Sequence, residues 1–554
     1  MDQKSKLRII PLGGLKEIGK NMLVIEYEQE VIVIDAGLMF PKSDMPGVDY
    51  VIPDISYLAD KKVLALILTH GHEDHIGAVT HVIESLDAPI YGTKLTLAFL
   101  REKFMDAHLP LDKIVCKEVS ARDVVTLSHF SIEFIHTNHS IVDSIGLAIT
   151  TPVGTIIHTG DFKIDLEPVD GHVIDLYKFA EYGERGVLAM LSDSTNVEKS
   201  GFTISESIVN RELDHLFSRA TGMIIIATFA SSLHRIQQML TAAHNNGRRV
   251  AFSGRSLMRC TDIAKQLGYL NYPQGTIIPI EEIAHHPREK LVCVTTGSQG
   301  EPFSSLALIA SDAHRHIKLA SGDVVILSAS VIPGNEIPVN NLVNLLYEKG
   351  AHVIDEDEYE IHSSGHASSE ELKLLYRLVR PKYLIPVHGE VRHIIKHAKL
   401  IELLTGKRDA SVVLFDGDVL ELDEEKAVIV DHLELINVYV DGKGVGDVSE
   451  LVLKDRQKLA SGGVVFVSAT ISNDNKVEID ADIVSKGFIF SDGKTNALFE
   501  KGRSIVIDTI EKLIKNGKTK SSILQYETKY KLQKFFFKEI ERQPLVVVSI
   551  NGKK

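Results

Sequence analysis

The sequence predicts an α/β chain in which two runs of strands with interspersed helices form packed sheets, a strand-helix alternating segment is inserted, and a small α/β unit follows. Three observations carry this reading. Short β-branched runs ending at Gly or His recur through the first 205 residues, each short apolar strand from about residue 206 precedes an amphipathic helix, and 554 residues exceed what one hydrophobic core organises. With domains on the order of 100–200 residues, about three folding units are expected.

Taken in order, LRIIPLGG and NMLVIEYEQEVIVIDAG read as strands that alternate apolar and polar positions and stop at glycine. LALILT (64–69) is a further strand. In the HGHEDHIGAVTHVIESL that follows it, Ala78, Val79, Val82, Ile83 and Leu86 fall at helical spacing, so a histidine-rich loop opens a helix. Strand-and-turn units continue around 140–150, through GTIIHTGDFKID and VLAMLSDSTN. MIIIATFA, SSLHRIQQMLTAAHNNG, RRVAFSG, RSLMRCTDIAKQLG, KLVCVTTGSQGEP and VVILSAS then give the pattern of a parallel sheet with crossover helices. After the helix SSEELKLLYRLVRP, the strand YLIPVHGE resembles the earlier His-ending strands, which returns the chain to its first domain. The expected boundaries are 1–205 and 371–425 for that domain, 206–370 for the insertion, 426–445 for a linker and 446–554 for a C-terminal α/β domain.

Composition narrows the function. No apolar run approaches the roughly 20 residues needed to span a bilayer, and Pro11, Gly13 and Gly14 break the N-terminal stretch before a secretory apolar core can form, so a cytoplasmic protein without membrane attachment is expected. Cys116, Cys260 and Cys293 are far apart and in no CxxC spacing, which leaves any metal to His and carboxylate among the 24 histidines. A net charge of −14 opposes generic nucleic-acid coating. The charge is uneven, however: residues 446–554 hold 19 Lys+Arg against 14 Asp+Glu, leaving 42 against 61 in the remainder.

The strongest motif is His70-Gly71-His72-Glu73-Asp74-His75, where an apolar strand gives way to a helix. In an extended loop, residues 70, 72 and 74 turn to one side while His75 points away and can serve a second ion. Four metal-competent side chains in six residues suit a dinuclear centre. His139 and Asp161 end the apolar stretches SIEFIHTNHS and TIIHTGDF. Singly such residues are more often turn or capping groups, but beside the first motif they become candidate ligands, with His136 and His158 as nearby competitors.

The HxHxDH motif, His139, the TGD at 159–161 and Asp35 in VIDAG together resemble the metallo-β-lactamase fold, an αββα sandwich. HSSGHAS (362–368) and PVHGE (386–390) resemble later motifs of its nucleic-acid-processing β-CASP group. LGGLKEIGKNM, VIPDISYL, LSDSTN, ATFASSLHR, TTGSQGEP and IPGNE extend the similarity to the bacterial ribonuclease J family over nearly the whole chain.

The resemblance implies two zinc ions per chain, with manganese able to substitute. His70, His72 and His139 would hold one, Asp74, His75 and His388 the other, and Asp161 would bridge them, while Asp35 would orient ligands. Every ligand position is filled. The chemistry falls on Asp74, Asp161 and His366, with His366 stabilising or protonating at the reacting phosphate. His362, Ser363, Ser364, Gly365 and His366 would contact substrate, although HSSGHAS also reads as a polar turn capped by Ser363 or Ser364. Phe229 is a candidate base-stacking ring, in a position more often filled by core, near Ser231, His234 and Arg235. The implied activity is two-metal hydrolysis of RNA, 5′-to-3′ exonucleolytic with preference for a 5′-monophosphate and also endonucleolytic, with in-line attack leaving a 5′-phosphate on the downstream product. A terminal-phosphate pocket is expected near 362–366, helped by 231–235 and 328–335.

The basic tail, including Lys512, Lys515, Lys518, Lys520, Lys529, Lys531 and Lys534, suits dimerisation with a solvated surface more than RNA capture. A homodimer or higher oligomer, or a hetero-oligomer with a paralogue, is the implied assembly. Two rivals are a small-molecule hydrolase of the same metal fold and a weakly active or scaffolding subunit. The insertion with HSSGHAS and PVHGE opposes the first, and the intact ligand set opposes the second.

Overall fold

The computed structural model describes residues 6–42, 44–332, 334–356, 358–472, 478–489 and 493–552. It divides into two compact units, residues 1–40 with 51–437 and residues 41–50 with 438–554.

The first unit is built on two mixed sheets laid face to face. The eight-stranded sheet runs, in spatial order, Ala427–His432, Asp418–Leu422, Leu7–Gly13, Met22–Tyr27, Glu30–Ile34, Lys62–Ile67, Ile90–Gly92 and Cys116–Glu118. The six-stranded sheet runs Tyr383–Val387, Ala189–Asp193, Thr155–His158, Ile145–Thr150, Phe130–His136 and Val124–Leu127. The period of two in the strands explains the layering. Along the first strand, Leu7 and Ile9 face the other sheet and join Phe130, Ile132, Leu147, Ile149 and Leu191 in the inner core. Ile10 and Leu12 face outward, into a core shared with Val79, Val82, Ile83 and Leu86 of the helix Val79–Leu86. On the far side Ile135, Ala148, Ile157 and Met190 pack under Phe179, Leu372, Leu375 and Ile401 of three helices. This is the αββα metallo-β-lactamase sandwich.

Its inserted β-CASP domain carries a five-stranded, wholly parallel sheet in the order Arg249–Ser253, Leu291–Thr295, Ile224–Ala227, Val324–Leu327 and His352–Ile354. Strands buried on both faces read as continuous apolar runs, which is why IIIA, LVCVT and VVIL lack alternation. After the helix Ser369–Val379, Tyr383–Val387 re-enters the six-stranded sheet beside Ala189–Asp193.

Two details differ from the sequence reading. The stretch read as a linker supplies the edge strand Ala427–His432, paired antiparallel to Asp418–Leu422. The second unit includes residues 41–50 as well as the tail. In that unit Glu478–Lys486, Val464–Ser472 and Leu545–Gly552 form a sheet packed against the helices Gly493–Lys515 and Ser521–Ile540. Among the described residues no helix is long and apolar enough to cross a membrane.

Candidate metal centre

Strand ends of the sandwich converge on one point. The strand Lys62–Ile67 delivers Thr69, His70 and His72, and the helical turn Glu73–Ile76 follows, with His72 still extended at φ −76°, ψ 154°. That turn corrects the extended-loop geometry expected from spacing. Because the helix starts at Glu73, Asp74 swings to the side of His75 and leaves His70 and His72 to a separate group.

The first group is His70, His72 and His139. His72 Nδ1 lies 3.0 Å from His70 Nε2 and 3.1 Å from His139 Nε2. The second is Asp74, His75, Asp161 and His388, in which Asp74 Oδ2 is 3.6 Å from His75 Nε2 and 3.3 Å from His388 Nε2. Asp161 Oδ2, a member of the second group, also faces the first: it lies 3.3 Å from His75 Nε2 and 3.5 Å from His388 Nε2, and 3.8 Å from each of His70 Nε2 and His139 Nε2. Donors held about 2.0–2.2 Å from one tetrahedral cation stand roughly 3.3–3.6 Å apart, which the second group matches, while the first is drawn a few tenths of an ångström closer. Gly160 sets up the shared carboxylate: it sits at φ +59°, and a Cβ there would fall 2.6 Å from the Ile145 carbonyl oxygen.

The opposite ring nitrogens are pinned. Asp35 accepts from the Thr69 amide (2.8 Å), the Thr69 hydroxyl (2.8 Å) and His75 Nδ1 (2.7 Å). His70 Nδ1 donates to Thr69 Oγ1 at 3.0 Å, His139 Nδ1 to the Gly365 carbonyl at 2.7 Å and His388 Nδ1 to Thr195 Oγ1 at 2.6 Å. With Nδ1 so engaged, Nε2 is the nitrogen each ring turns inward, the orientation a metal ligand requires. Gly365 must be glycine for this approach, since a Cβ would lie 2.5 Å from the His139 ring.

Electrostatics separates the groups. Burial, reinforced by neighbouring imidazoles, drives His70 and His139 well below the ordinary histidine pKa and His72 down to about 4, so these three are neutral. Burial also opposes charge on His75 and His388, but the carboxylates of Asp161 and Asp74 outweigh it, lifting His75 well above its usual value and His388 to about 9. The negative potential that keeps those two protonated is the potential a divalent cation would satisfy.

His366 stands beside the centre, its ring 5.0 Å from that of His139 and 5.3 Å from that of His388. Its Nδ1 is 2.7 Å from Asp193 Oδ2, and although burial works against its charge, Asp193 and Asp161 raise its pKa. No role for Asp193 or Thr195 was assigned from sequence, although LSDSTN ends a strand as TGD does. Of the competitors, His136 lies apart with its Nε2 3.2 Å from the His172 carbonyl. His158 accepts the Gly160 amide at 3.1 Å and is held neutral by burial, near pKa 4.

The remaining expected contacts are distributed unevenly. Ser364 Oγ accepts from Asn196 at 2.7 Å, and His362 Nδ1 meets Ser330 Oγ at 3.0 Å. Buried Ser363 accepts from Lys163 Nζ at 2.8 Å and donates to the Ile204 carbonyl at 2.7 Å, so its hydroxyl is occupied internally. Arg235 likewise turns inward: its guanidinium pairs with Glu206 at 3.0 Å and bonds Gln238, Ser328 and the Ile361 carbonyl. His234 is buried against Asp170, its Nε2 3.2 Å from Oδ2. Both corrections share a cause: an amphipathic helix buries the face on which His234 and Arg235 fall, whereas Phe229 and Ser231, before it, stay half-exposed. Pro333, within the 328–335 stretch, lies outside the described residues.

Known families match along the chain: the metallo-β-lactamase superfamily at 16–193, the ribonuclease J β-CASP domain at 221–346, a Zn-dependent metallo-hydrolase RNA specificity domain at 358–412 and the ribonuclease J C-terminal domain at 451–552. The chain is 40% identical to Ribonuclease J of Synechocystis sp. over 99% of its own length and 87% of that protein. The chain belongs to the ribonuclease J family. Ribonuclease J of Thermus thermophilus is 40% identical over 99% of this chain and 95% of its own, and Ribonuclease J2 of Bacillus subtilis 39% over 98% of each. A crystal structure of a protein of unknown function from Enterococcus faecalis shares the fold alone, with TM-score 0.53 and 16% identity over 77% of this chain and 100% of that one. Membership and the His/Asp cluster make this ribonuclease J family chain a metal-dependent RNA hydrolase.

Proposed function

We propose that two zinc ions, replaceable by manganese, are held by His70, His72 and His139 on one side and Asp74, His75 and His388 on the other, with Asp161 bridging. We propose further that the enzyme works in the cytoplasm on RNA maturation and decay, as a 5′-to-3′ exonuclease favouring 5′-monophosphate ends and as an endonuclease. One observation carries the reading: a single oxygen, Asp161 Oδ2, lies within 3.8 Å of four imidazole nitrogens drawn from three distant segments.

When bound, a pair of such ions polarises phosphoryl oxygens and acidifies water. The protein's own groups supply the rest. Asp35, Thr69, Thr195 and the Gly365 carbonyl fix ring orientations before substrate arrives, so little reorganisation is left for the reaction itself. Asp193 engages His366 Nδ1 and leaves Nε2 as the nitrogen that donates a proton to the departing 3′-oxygen, which puts the 5′-phosphate on the downstream product. His362 and Ser364, both partly exposed, are the members of the 362–366 segment suited to a 5′-terminal phosphate. Assembly as a homodimer or with a paralogous subunit completes the reading.

The test compares matched 5′-monophosphate and 5′-triphosphate RNAs, with His75→Ala alongside and elemental analysis of the active preparation. The reading expects about two transition-metal ions per chain, faster mononucleotide release from the monophosphate RNA and none from His75→Ala. Equal, metal-independent decay in every sample, or no bound metal, overturns it.

A further inference from the structure

Resting on the reading of the chain as an RNA-cleaving enzyme, we propose that an open cavity at the carboxyl ends of the parallel sheet binds an unpaired RNA base beyond the scissile dinucleotide. The base stacks on Phe303 and Phe229, and Glu301 accepts from its exocyclic amine.

The cavity, of about 370 Å³, opens just past the strands Ile224–Ala227, Arg249–Ser253 and Leu291–Thr295 and is lined by residues including Phe229, Ser256, Thr296, Ser298, Glu301 and Phe303. Ligands of parallel α/β sheets collect at this edge, and the volume is that of a small-molecule site. Its lining is two aromatic rings, several hydroxyls and one carboxylate, with no Lys or Arg. A phosphate has no cation to meet there. A planar uncharged base has rings to stack on, and an amine-bearing base has a carboxylate acceptor.

Phe303 is the independent sign. It is a bulky residue at φ +64°, a conformation side chains with a Cβ rarely take, and it is 88% exposed. Neither the strained backbone nor the bare ring is repaid by packing, the pattern of a side chain displayed for a ligand. The display is rigidly mounted: Glu301 Oε2 accepts the Gln299 amide at 3.1 Å, and the Gln299 side chain donates to the Ser330 carbonyl at 2.9 Å and accepts the Ile332 amide at 2.8 Å. Ser330 in turn meets His362 at 3.0 Å, so a relay of hydrogen bonds runs from the cavity's Glu301 to the 362–366 segment.

The experiment uses the full chain with 5′-phosphorylated oligoadenylate, as a dinucleotide and as a decamer, and a decamer with phosphorothioate linkages and 2-aminopurine reporters to read stacking without turnover. Phe303→Ala is expected to weaken decamer binding and raise its KM roughly 5- to 150-fold, the span of one base–aromatic stack, and to abolish the 2-aminopurine quenching. Dinucleotide hydrolysis, metal content and melting temperature stay at wild-type values, and Phe303→Tyr retains binding. Glu301→Gln narrows the preference for oligoadenylate over oligouridylate. Unchanged decamer binding by Phe303→Ala, while wild type still cleaves both RNAs, overturns the cavity's role alone. If wild type cleaves neither, the enzymatic reading falls and takes this inference with it. If free AMP binds with the decamer's affinity and the same dependence on Phe303, the cavity is a mononucleotide site and the RNA assignment is wrong.

Discussion

Two groups of buried polar side chains meet at the 361–366 segment, and they are wired differently. Around the metal centre, His70, His75, His139 and His388 each spend Nδ1 on Asp35, Thr69, Thr195 or a backbone carbonyl and leave Nε2 converging on Asp161. In the second group, Lys163 lies 3.3 Å from Glu206 and 3.7 Å from Asp165, and Glu206 pairs with Arg235, so the charges point at one another. Convergent, half-used donors mark a place for an exogenous charge. A closed circuit of opposite charges marks a joint, here between the sandwich and the insertion. Burial and residue type alone do not separate the two; the direction of the second nitrogen or oxygen does.

The comparison breaks most visibly at the shared carboxylate. Asp161→Asn should lower kcat/KM roughly 10³-fold or more, several kcal/mol of barrier, with loss of bound metal by elemental analysis. Retention of both ions and of activity would make Asp161 an ordinary strand-end residue. Asp193→Asn should cost on the order of 10²-fold in kcat with metal content intact. Because the Asp193 anion helps raise the His366 pKa, its removal should shift the alkaline limb of the kcat profile to lower pH, an effect that simple misfolding does not produce. Asp35→Asn should weaken metal affinity about 10- to 100-fold, measured by chelator competition, while substrate KM in saturating metal stays near wild type.

In the closed circuit the expected change is in stability. Glu206→Gln strands Arg235 and leaves Lys163 with the Asp165 carboxylate, and should cost about 3–5 kcal/mol in chemical denaturation at pH 7. Burial opposes ionisation of Glu206, but Arg235 and Lys163 hold its carboxyl well below the usual range. The acid is therefore more ionised folded than unfolded, its contribution is full above the unfolded value near 4, and it fades as pH falls. Melts at pH 7 and pH 3 should show the variant's deficit shrinking in acid. A deficit unchanged by pH would assign the loss to packing.

What was legible in the sequence follows from how local each signal is. HGHEDH announces itself because four metal-competent side chains fall in six residues where a strand gives way to a helix, and packed sheets follow from short β-branched runs such as LRIIPLG, whereas the αββα order and the place of PVHGE came through the family resemblance. The grouping of Asp74 with His75 was not legible from spacing, because it depends on a helical turn beginning one residue earlier. The internal partners of Arg235 and Ser363 were not legible for another reason: cations and hydroxyls look alike whether they face a phosphate or a buried glutamate 29 residues away in the chain. Asp193 was overlooked because its partner, His366, lies 173 residues downstream, beyond any periodicity. Residues 41–50 gave no sign that they belong with the tail.

His388 has a consequence for the order in which the protein becomes active. It sits at φ +55°, just past the strand Tyr383–Val387 that slots beside Ala189–Asp193, and its Nε2 completes the group with Asp74, His75 and Asp161. During synthesis the polypeptide is extended from its N-terminus at about 5–20 residues per second. Some 230 residues therefore emerge between Asp161 and His388, tens of seconds in which the parallel sheet of 224–354 can fold but the nuclease cannot. Until the late strand docks, the group around Asp74, His75 and Asp161 lacks its last imidazole.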